Sequence, residues 1–180
     1  RQRQMCIRDR AKLFRISISK GHELIPIEKE VEHARSYLKI QNFRYKNQFS
    51  YEFQVEEDCL QYYCNKITLQ PIIENAIYHG LDRMVDEGRI LIRIYSEGED
   101  VVFRVEDNGV GMSEEQCRSI LHKEPGDNSG IGIKNVNDRI KIYFGKEYGL
   151  SIESELDEGT TVIIRMPKVE ENAAAGWEKV

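Results

Sequence analysis

The stretch Thr68–Leu81, TLQPIIENAIYHGL, sets the terms on which the rest of the chain must pack. Its apolar residues Leu69, Ile72, Ile73, Ala76 and Ile77 recur at helical spacing and form one stripe. Glu74, Asn75 and Tyr78 fall on the opposite face, with His79 one turn after Asn75. Thr68 is placed to cap the helix, Pro71 fits within its first turn, and Gly80 marks its end. A fold that accepts this segment buries one side of it and gathers a carboxylate, an amide and an imidazole on the other. That pattern suits a helix walling a site, but it also describes an ordinary amphipathic helix. What surrounds it has to decide.

Upstream, Pro26 and an acidic first turn introduce a helix over Glu28–Arg44, in which Val31, Ala34 and Leu38 share a face with Tyr45. Tyr51, Phe53 and Val55 alternate with polar residues as a short strand, and Glu56–Asn65 reads as a polar connection. Downstream, Ile90, Ile92 and Ile94, then Val101, Phe103 and Val105, alternate around the turn Glu97–Asp100 and predict a hairpin. Its second strand runs straight into Asp107-Asn108-Gly109-Val110-Gly111-Met112. Ser113 and Gln116 then make a capping-box pattern for a short helix with Cys117, Ile120 and Leu121 inward. A polar loop, Pro125–Ser129, leads to Gly130-Ile131-Gly132 and a helix with the stripe Ile133, Val136, Ile140 and Phe144, stopped by Gly145. Strands Ser151–Leu156 and Thr160–Met166 follow, and Pro167 is expected to end the fold. About five strands and four helices, with alternating strands, predict a two-layer α/β sandwich: a mixed, mainly antiparallel sheet with helices on one face.

Charge and length remove several classes. A net charge of −5 over 180 residues argues against nucleic-acid binding, which needs a basic footprint. No apolar run of membrane-spanning length and no secretion signal occur in the sequence. Cys6, Cys59, Cys64 and Cys117 lack paired spacing and read as reduced thiols. We assign residues 1–10 to a non-native or disordered leader, 11–48 to a linker and helix, 49–168 to the main domain, and 169–180 to a disordered tail.

Two glycine-bearing loops, DNGVGM and SGIGIKNV, lie where helices begin. Glycine lets backbone approach a ligand, and a helix N-terminus offers free N–H groups to phosphate. Neither a P-loop nor a strand-linked GxGxxG is present, so a nucleotide would be held differently. Asp-Asn-Gly alone is also an ordinary turn; the order of ENA helix, DNGVG, GIGIKN and EGTTV is the specific signal.

In that order the segments resemble the ATP-binding (Bergerat, GHKL) domain shared by histidine kinases, type II topoisomerases, heat-shock chaperones and mismatch-repair ATPases. IIENAIYHGL is similar to the N box, DNGVGM and GIGIKNV to the two glycine boxes, and EGTTVIIRMP to the closing Gly-Thr strand. The run ISKGHELIPIEKEVEHARSYLKIQNFRY further resembles bacterial sensor histidine kinases of the LytS/YesM type, over roughly residues 11–168.

The resemblance implies ATP and Mg²⁺ as ligands, and roles for particular residues. Asp107 would accept from the adenine amine, with Gly111 and Thr160 near the base. Asn75 would ligate Mg²⁺, and Glu74 would orient the metal's water or polarise a neighbour. Gly130, Ile131 and Gly132 would present N–H groups to the phosphates with Asn135 nearby, Gly109 and Met112 would belong to the nucleotide pocket, and Ser113–Ser129 would form a short lid. At Tyr78 many relatives carry a basic residue that holds phosphate. His79 either covers that loss or caps the helix end. Lys134 either touches phosphate or stays solvated.

The resemblance also implies a phosphoacceptor histidine in a Pro-His-Phe-type motif, a context that His22, His33 and His122 lack. The chain is therefore expected to bind ATP–Mg²⁺ without phosphorylating itself. Its partners would be the histidine-bearing dimerisation region of the full-length kinase and a response regulator. The location would be cytoplasmic, with no membrane contact of this stretch and the full-length protein membrane-anchored. Alternatives are a GHKL-type ATPase with Glu74 as general base, and an anti-sigma-like serine kinase or nucleotide-binding adaptor.

Overall fold

The computed structural model describes residues 24–81, 87–122 and 131–177. The leader assigned to residues 1–10, His22, the loop Pro125–Ser129 with the end of the expected lid, and Gly130 lie outside them. The described chain runs β1 (Leu24–Pro26), α1 (Ile27–Arg44), β2 (Phe49–Val55), a 3₁₀ turn at Glu57–Cys59, β3 (Tyr63–Asn65) and α2 (Leu69–Asn75). After α2 the helix continues in π geometry over Ala76–Leu81. Then come β4 (Gly88–Glu97), β5 (Asp100–Asp107), α3 (Glu114–His122), α4 (Ile131–Phe144), β6 (Gly149–Glu155), β7 (Gly159–Pro167) and α5 (Glu171–Trp177).

The central sheet has five strands in the order β2-β4-β5-β7-β6. Only β2 and β4 pair in parallel; the other neighbours are antiparallel, which makes the mixed, mainly antiparallel sheet expected. Alternation decides its faces. Ile90, Ile92, Ile94, Val101, Phe103, Val105, Val162, Ile164 and Met166 are all buried toward the helices. The other face is wetter and carries ion pairs such as Arg93–Glu106 and Arg165–Asp100. Against the inner face lie Val31, Ala34 and Leu38 of α1, the stripe Leu69, Ile72, Ile73, Ala76 and Ile77, and Ile133, Val136, Ile140 and Phe144 of α4. Each large aliphatic side chain buried there contributes about 1.5–3 kcal/mol. Among the described residues no helix is long and apolar enough to cross a membrane.

Four local expectations are corrected. The connection Glu56–Asn65 is not irregular: it holds the 3₁₀ turn and β3, which pairs antiparallel with β1. The fold does not end at Pro167, and residues from 169 on are not simply a disordered tail. Tyr63 N–H donates to the carbonyl of Val169 (2.8 Å), Val169 and Ala174 are buried, and α5 follows. Thr68 does not cap α2 through its hydroxyl, which donates instead to the carbonyl of Asn65 (2.7 Å). The free N–H groups at that end go to Glu30, a stronger acceptor brought from α1. Finally, Gly80 does not stop the helix; the π turn carries it through Leu81.

Candidate functional site

Asp107 ends β5, and the chain closes around its carboxylate. Oδ1 accepts the N–H of Gly109 at 2.9 Å, and the N–H of Thr160, opposite Asp107 in the β5–β7 register, is directed to the same group. Burial pushes the Asp107 carboxyl up from 3.8 to about 6, against the lowering effect of those two N–H groups. The surroundings are therefore poor in water and short of donors, and a carboxylate there gains from a further N–H.

Close backbone approach explains the glycines. A Cβ on Gly109 would sit 2.4 Å from the Cα of Gly80, and one on Gly80 would sit 2.8 Å from Oδ1 of Asp107. The N–H of Val110 donates to the Gly80 carbonyl at 3.2 Å, so the end of the α2 helix and the DNGVG loop are locked together. Gly111 takes φ +66°, and a Cβ there would lie 1.9 Å from the carbonyl oxygen of Glu155.

Two residues outside the expected site set complete the loop. The Ser154 hydroxyl accepts from the N–H of Met112 (2.8 Å) and also meets the Thr160 hydroxyl and the Gly159 carbonyl, each at 2.8 Å. Asn108 ties the loop to the start of β4, its Oδ1 accepting from the N–H of Arg89 at 2.6 Å and its Nδ2 donating to the carbonyl of Glu87. Neither was legible from sequence. Ser154 is one polar residue on an alternating strand, and Asn108 reads as a turn former.

On the helix side, Glu74 and Asn75 are half-buried while Tyr78 and His79 are exposed. Gln70 Nε2 donates to Glu74 Oε1 at 3.0 Å. Tyr37, on α1, faces Glu74 and Tyr78; burial first, then the Glu74 charge and Tyr78, raise its phenol well above the usual tyrosine value. The Asn75 and His79 side chains make no hydrogen bond or ion pair among the described residues. The first turn of α4 lies against that of α2: a Cβ on Gly132 would meet Cβ of Pro71 at 3.2 Å. Asn135 is exposed on α4, and Lys134 pairs with Asp138 at 2.7 Å. The structure thus gathers Asp107, Gly109, Gly111, Met112 and Thr160 at one end of the sheet and joins them through Gly80 to the helix bearing Asn75 and His79. Gly132 and Asn135 stand on the adjoining helix. Of Ile131 only the backbone is described, and Gly130 lies outside the described residues.

The capping box is formed, with Ser113 N–H donating to Gln116 Oε1 (2.9 Å) and Gln116 N–H to Ser113 Oγ (3.3 Å). Chemically, the site offers a buried acceptor ringed by backbone at one end and an uncommitted amide beside a held carboxylate at the other. Among the described residues, no group of three or more His, Cys, Asp or Glu side chains is arranged to hold a metal ion.

Comparison with known proteins places the chain in a family. Residues 64–170 match the family model described as histidine kinase-, DNA gyrase B-, and HSP90-like ATPase, and residues 2–49 match one described as histidine kinase. The chain is 34% identical over 155 residues to the sensor histidine kinase YesM of Bacillus subtilis, covering 86% of this chain and 26% of that protein. It is 30% identical over 154 residues to the sensor histidine kinase BtsS of Escherichia coli, with the same coverage of each chain, 86% and 26%. The chain therefore spans about a quarter of the length of these relatives. Among solved structures, the catalytic domain of histidine kinase ThkA shares the fold with a TM-score of 0.63 at 15% identity, covering 83% of this chain and 99% of that one. The mycobacterial sensor histidine kinase MprB gives 0.59 at 14% identity, with the same 83% and 99% coverage.

Proposed function

Because the chain belongs to the histidine kinase-, DNA gyrase B-, and HSP90-like ATPase family, we propose that it is the ATP-binding catalytic part of a two-component sensor histidine kinase. It binds ATP with Mg²⁺ and passes the γ-phosphoryl group to a histidine outside the described residues, on a dimerisation helix, for relay to an aspartate of a response regulator. The observation that carries the reading is the Asp107 carboxylate: buried, raised to about 6, and met among the described residues by the N–H of Gly109 with that of Thr160 directed toward it. The exocyclic amine of adenine supplies the donor such a group lacks.

The residues fit the rest of the nucleotide. Gly109, Gly111 and Met112, with Thr160, shape the wall beside the base. Gly130, Ile131 and Gly132 offer N–H groups to the phosphates, and Asn135 stands near them. Asn75 would give one hard oxygen to Mg²⁺, Glu74 would orient water near the ion, and His79 would face the phosphates. When bound, Mg²⁺ neutralises developing charge on the triphosphate. The chain's own share is positioning: it aligns the γ-phosphorus so that the N–P bond forms as the bond to the β,γ-bridging oxygen breaks and ADP leaves. Sensor-kinase names among relatives at 30–34% identity support this reading over hydrolysis with Glu74 as base. The reading places the chain on the cytoplasmic side of a membrane-anchored sensor.

Calorimetric titration with ATP, with and without Mg²⁺, tests the proposal. Binding strengthened by Mg²⁺ and lost in Asp107→Asn is expected; unchanged affinity in that variant refutes the adenine assignment. Acid-labile label from γ-labelled ATP is expected only when a histidine-bearing region is added. His33 is exposed on α1 beside Glu32, and stable labelling of the chain alone would overturn its exclusion.

A further inference from the structure

Two of the most exposed apolar side chains among the described residues stand together on the outer face of α1: Ile40, 61% exposed, and Phe43, 83% exposed. Cations frame them. Lys39 lies one turn before Phe43 and Arg44 one turn after Ile40, so the two flank the apolar pair on either side. Arg35 stacks over the ring of Phe53 of β2 at 4.2 Å, and Lys46 follows in the turn after α1. From His33 to Tyr51 the sequence holds these four cations and no Asp or Glu, although the whole chain carries a net charge of −5. Lys39, Arg44 and Lys46 have no acidic partner among the described residues. Lys46 and Asn47 both take left-handed backbone, φ 52° and 59°. The N–H groups of Tyr45, Lys46, Asn47 and Gln48 all donate to carbonyls within that turn or the last turns of α1, which fixes a conformation that such residues rarely adopt. The turn brings Tyr51 of β2 alongside, and Ile40, Phe43 and Tyr51 line a mostly apolar groove that Lys39 and Arg44 also border. β2 is an edge strand, so no further strand of the sheet lies over that side.

An apolar centre framed by cations has the anatomy of an interface for a protein with an acidic face. A second copy docked about a twofold axis would set these cations against themselves. A flat anionic lipid surface would meet the cations but leave the groove unfilled, whereas a projecting apolar side chain of a protein fills it. The reading of the chain as a sensor kinase supplies a partner of this kind. A carboxylate that accepts a phosphoryl group with Mg²⁺ needs further hard oxygens around the ion, so the accepting face of a response regulator is acidic by its own chemistry. Ile40, Phe43 and the four cations also lie in the segment 2–49 of the histidine kinase match, outside residues 64–170 of the ATPase match. We propose that the outer face of α1 around Ile40 and Phe43 is a docking surface for the acidic accepting face of the response regulator. The proposal rests on the reading of the chain as part of a two-component kinase. Ile40 and Phe43 are the anchors, and Lys39, Arg44 and Lys46 steer the encounter.

The test is phosphoryl transfer from the full-length kinase, labelled with γ-labelled ATP and freed of nucleotide, to its response regulator at increasing concentration. Phe43→Ala and the double variant Lys39→Glu/Arg44→Glu change exposed side chains, and each should melt within about 2 °C of the parent. Each should raise the half-saturating concentration of regulator about tenfold, with autophosphorylation and the transfer rate at saturation within about twofold of the parent. In roughly 0.5 M NaCl the parent should weaken toward the charge variant, while the deficit of Phe43→Ala persists. Unchanged half-saturation in both variants overturns the proposal. So does a loss of autophosphorylation, which assigns the face to a contact inside the kinase. Binding to phosphatidylglycerol vesicles that the variants lose, with transfer unchanged, assigns it to lipid and overturns the proposal equally. If the parent acquires no label on histidine, the kinase reading fails and takes this inference with it; if it labels and the variants transfer like the parent, only the docking surface fails.

Discussion

Asp107 is predicted to cost the empty protein stability at neutral pH, so removing its charge should strengthen the fold while weakening nucleotide binding. The carboxyl is raised from 3.8 to about 6. The ionised form is therefore disfavoured in the folded state relative to the unfolded chain. A group raised in this way stabilises most below its unfolded value and loses that contribution as pH climbs through about 6. A shift of roughly two units corresponds to about 3 kcal/mol of stability absent at pH 7.5 and recovered by pH 4. Asparagine keeps one acceptor for Gly109 or Thr160 but turns an amide N–H toward the other, at a cost of about 1–2 kcal/mol. The net expectation for Asp107→Asn is a gain of about 1–2 kcal/mol at pH 7.5, or ~2–8 °C in melting temperature. At pH 4.5 the gain should vanish or reverse. ATP affinity at pH 7.5 should meanwhile fall about tenfold to a hundredfold, for one charge-assisted hydrogen bond. Scanning fluorimetry of both proteins from pH 4.5 to 7.5 and calorimetric ATP titration read the two effects. An equal loss of stability at both ends of the pH range, with affinity retained, would refute the account of this carboxylate.

Other outcomes follow from the same geometry. Glu30→Ala orphans three N–H groups at the start of α2 and should cost about 2–4 kcal/mol in urea unfolding, far more than an exposed acidic residue of a first turn; a change within ~0.5 kcal/mol contradicts the buried cap. Asn75→Ala should keep the ATP affinity measured in EDTA and lose most of the strengthening by Mg²⁺, read by paired titrations. Tyr78→Lys introduces a positive charge on the exposed end of this helix and, on the proposed reading, should tighten ATP about twofold to fivefold, while costing about 1 kcal/mol of stability as the ring contact with Tyr45 is lost. Cys59 and Cys64 are buried, and burial pushes both thiols up. At pH 8 they should label at the rate of unfolding, as mapped by peptide mass spectrometry.

What could be read without coordinates was whatever repeats locally. The stripe Leu69 to Ile77 and the alternation of Ile90–Ile94 with Val101–Val105 each state their buried face within a dozen residues, and burial in the structure follows them. Glu30 shows the limit. In sequence it is one of several acids suited to the first turn of α1, a solvated role; in the fold its partners are thirty-seven to thirty-nine residues away and it is sealed from water. Tyr37, Ser154 and Asn108 were invisible for the same reason, since each gains its meaning from a distant segment. β1 and β3 are three residues long, too short for alternation to register. The π turn at Ala76–Leu81 preserves the apolar stripe while changing the pitch beneath it, so no residue pattern announces it.

Tyr78 brings these two kinds of information together. On the proposed function it stands at the phosphate end of the helix and brings no positive charge there. In the fold its ring turns to α1, edge-on to Tyr45, although 40% of the residue remains exposed. A lysine has no ring to set against Tyr45 and would carry its charge toward solvent. The exchange therefore trades direct attraction for the triphosphate against a tighter hold on the helix that carries Glu74 and Asn75. Phosphoryl transfer depends more steeply on alignment than on ground-state affinity. On that ground, a chain that strengthens the grip at the expense of a phosphate contact gives up uniform binding and keeps the part of the interaction that acts on the rate.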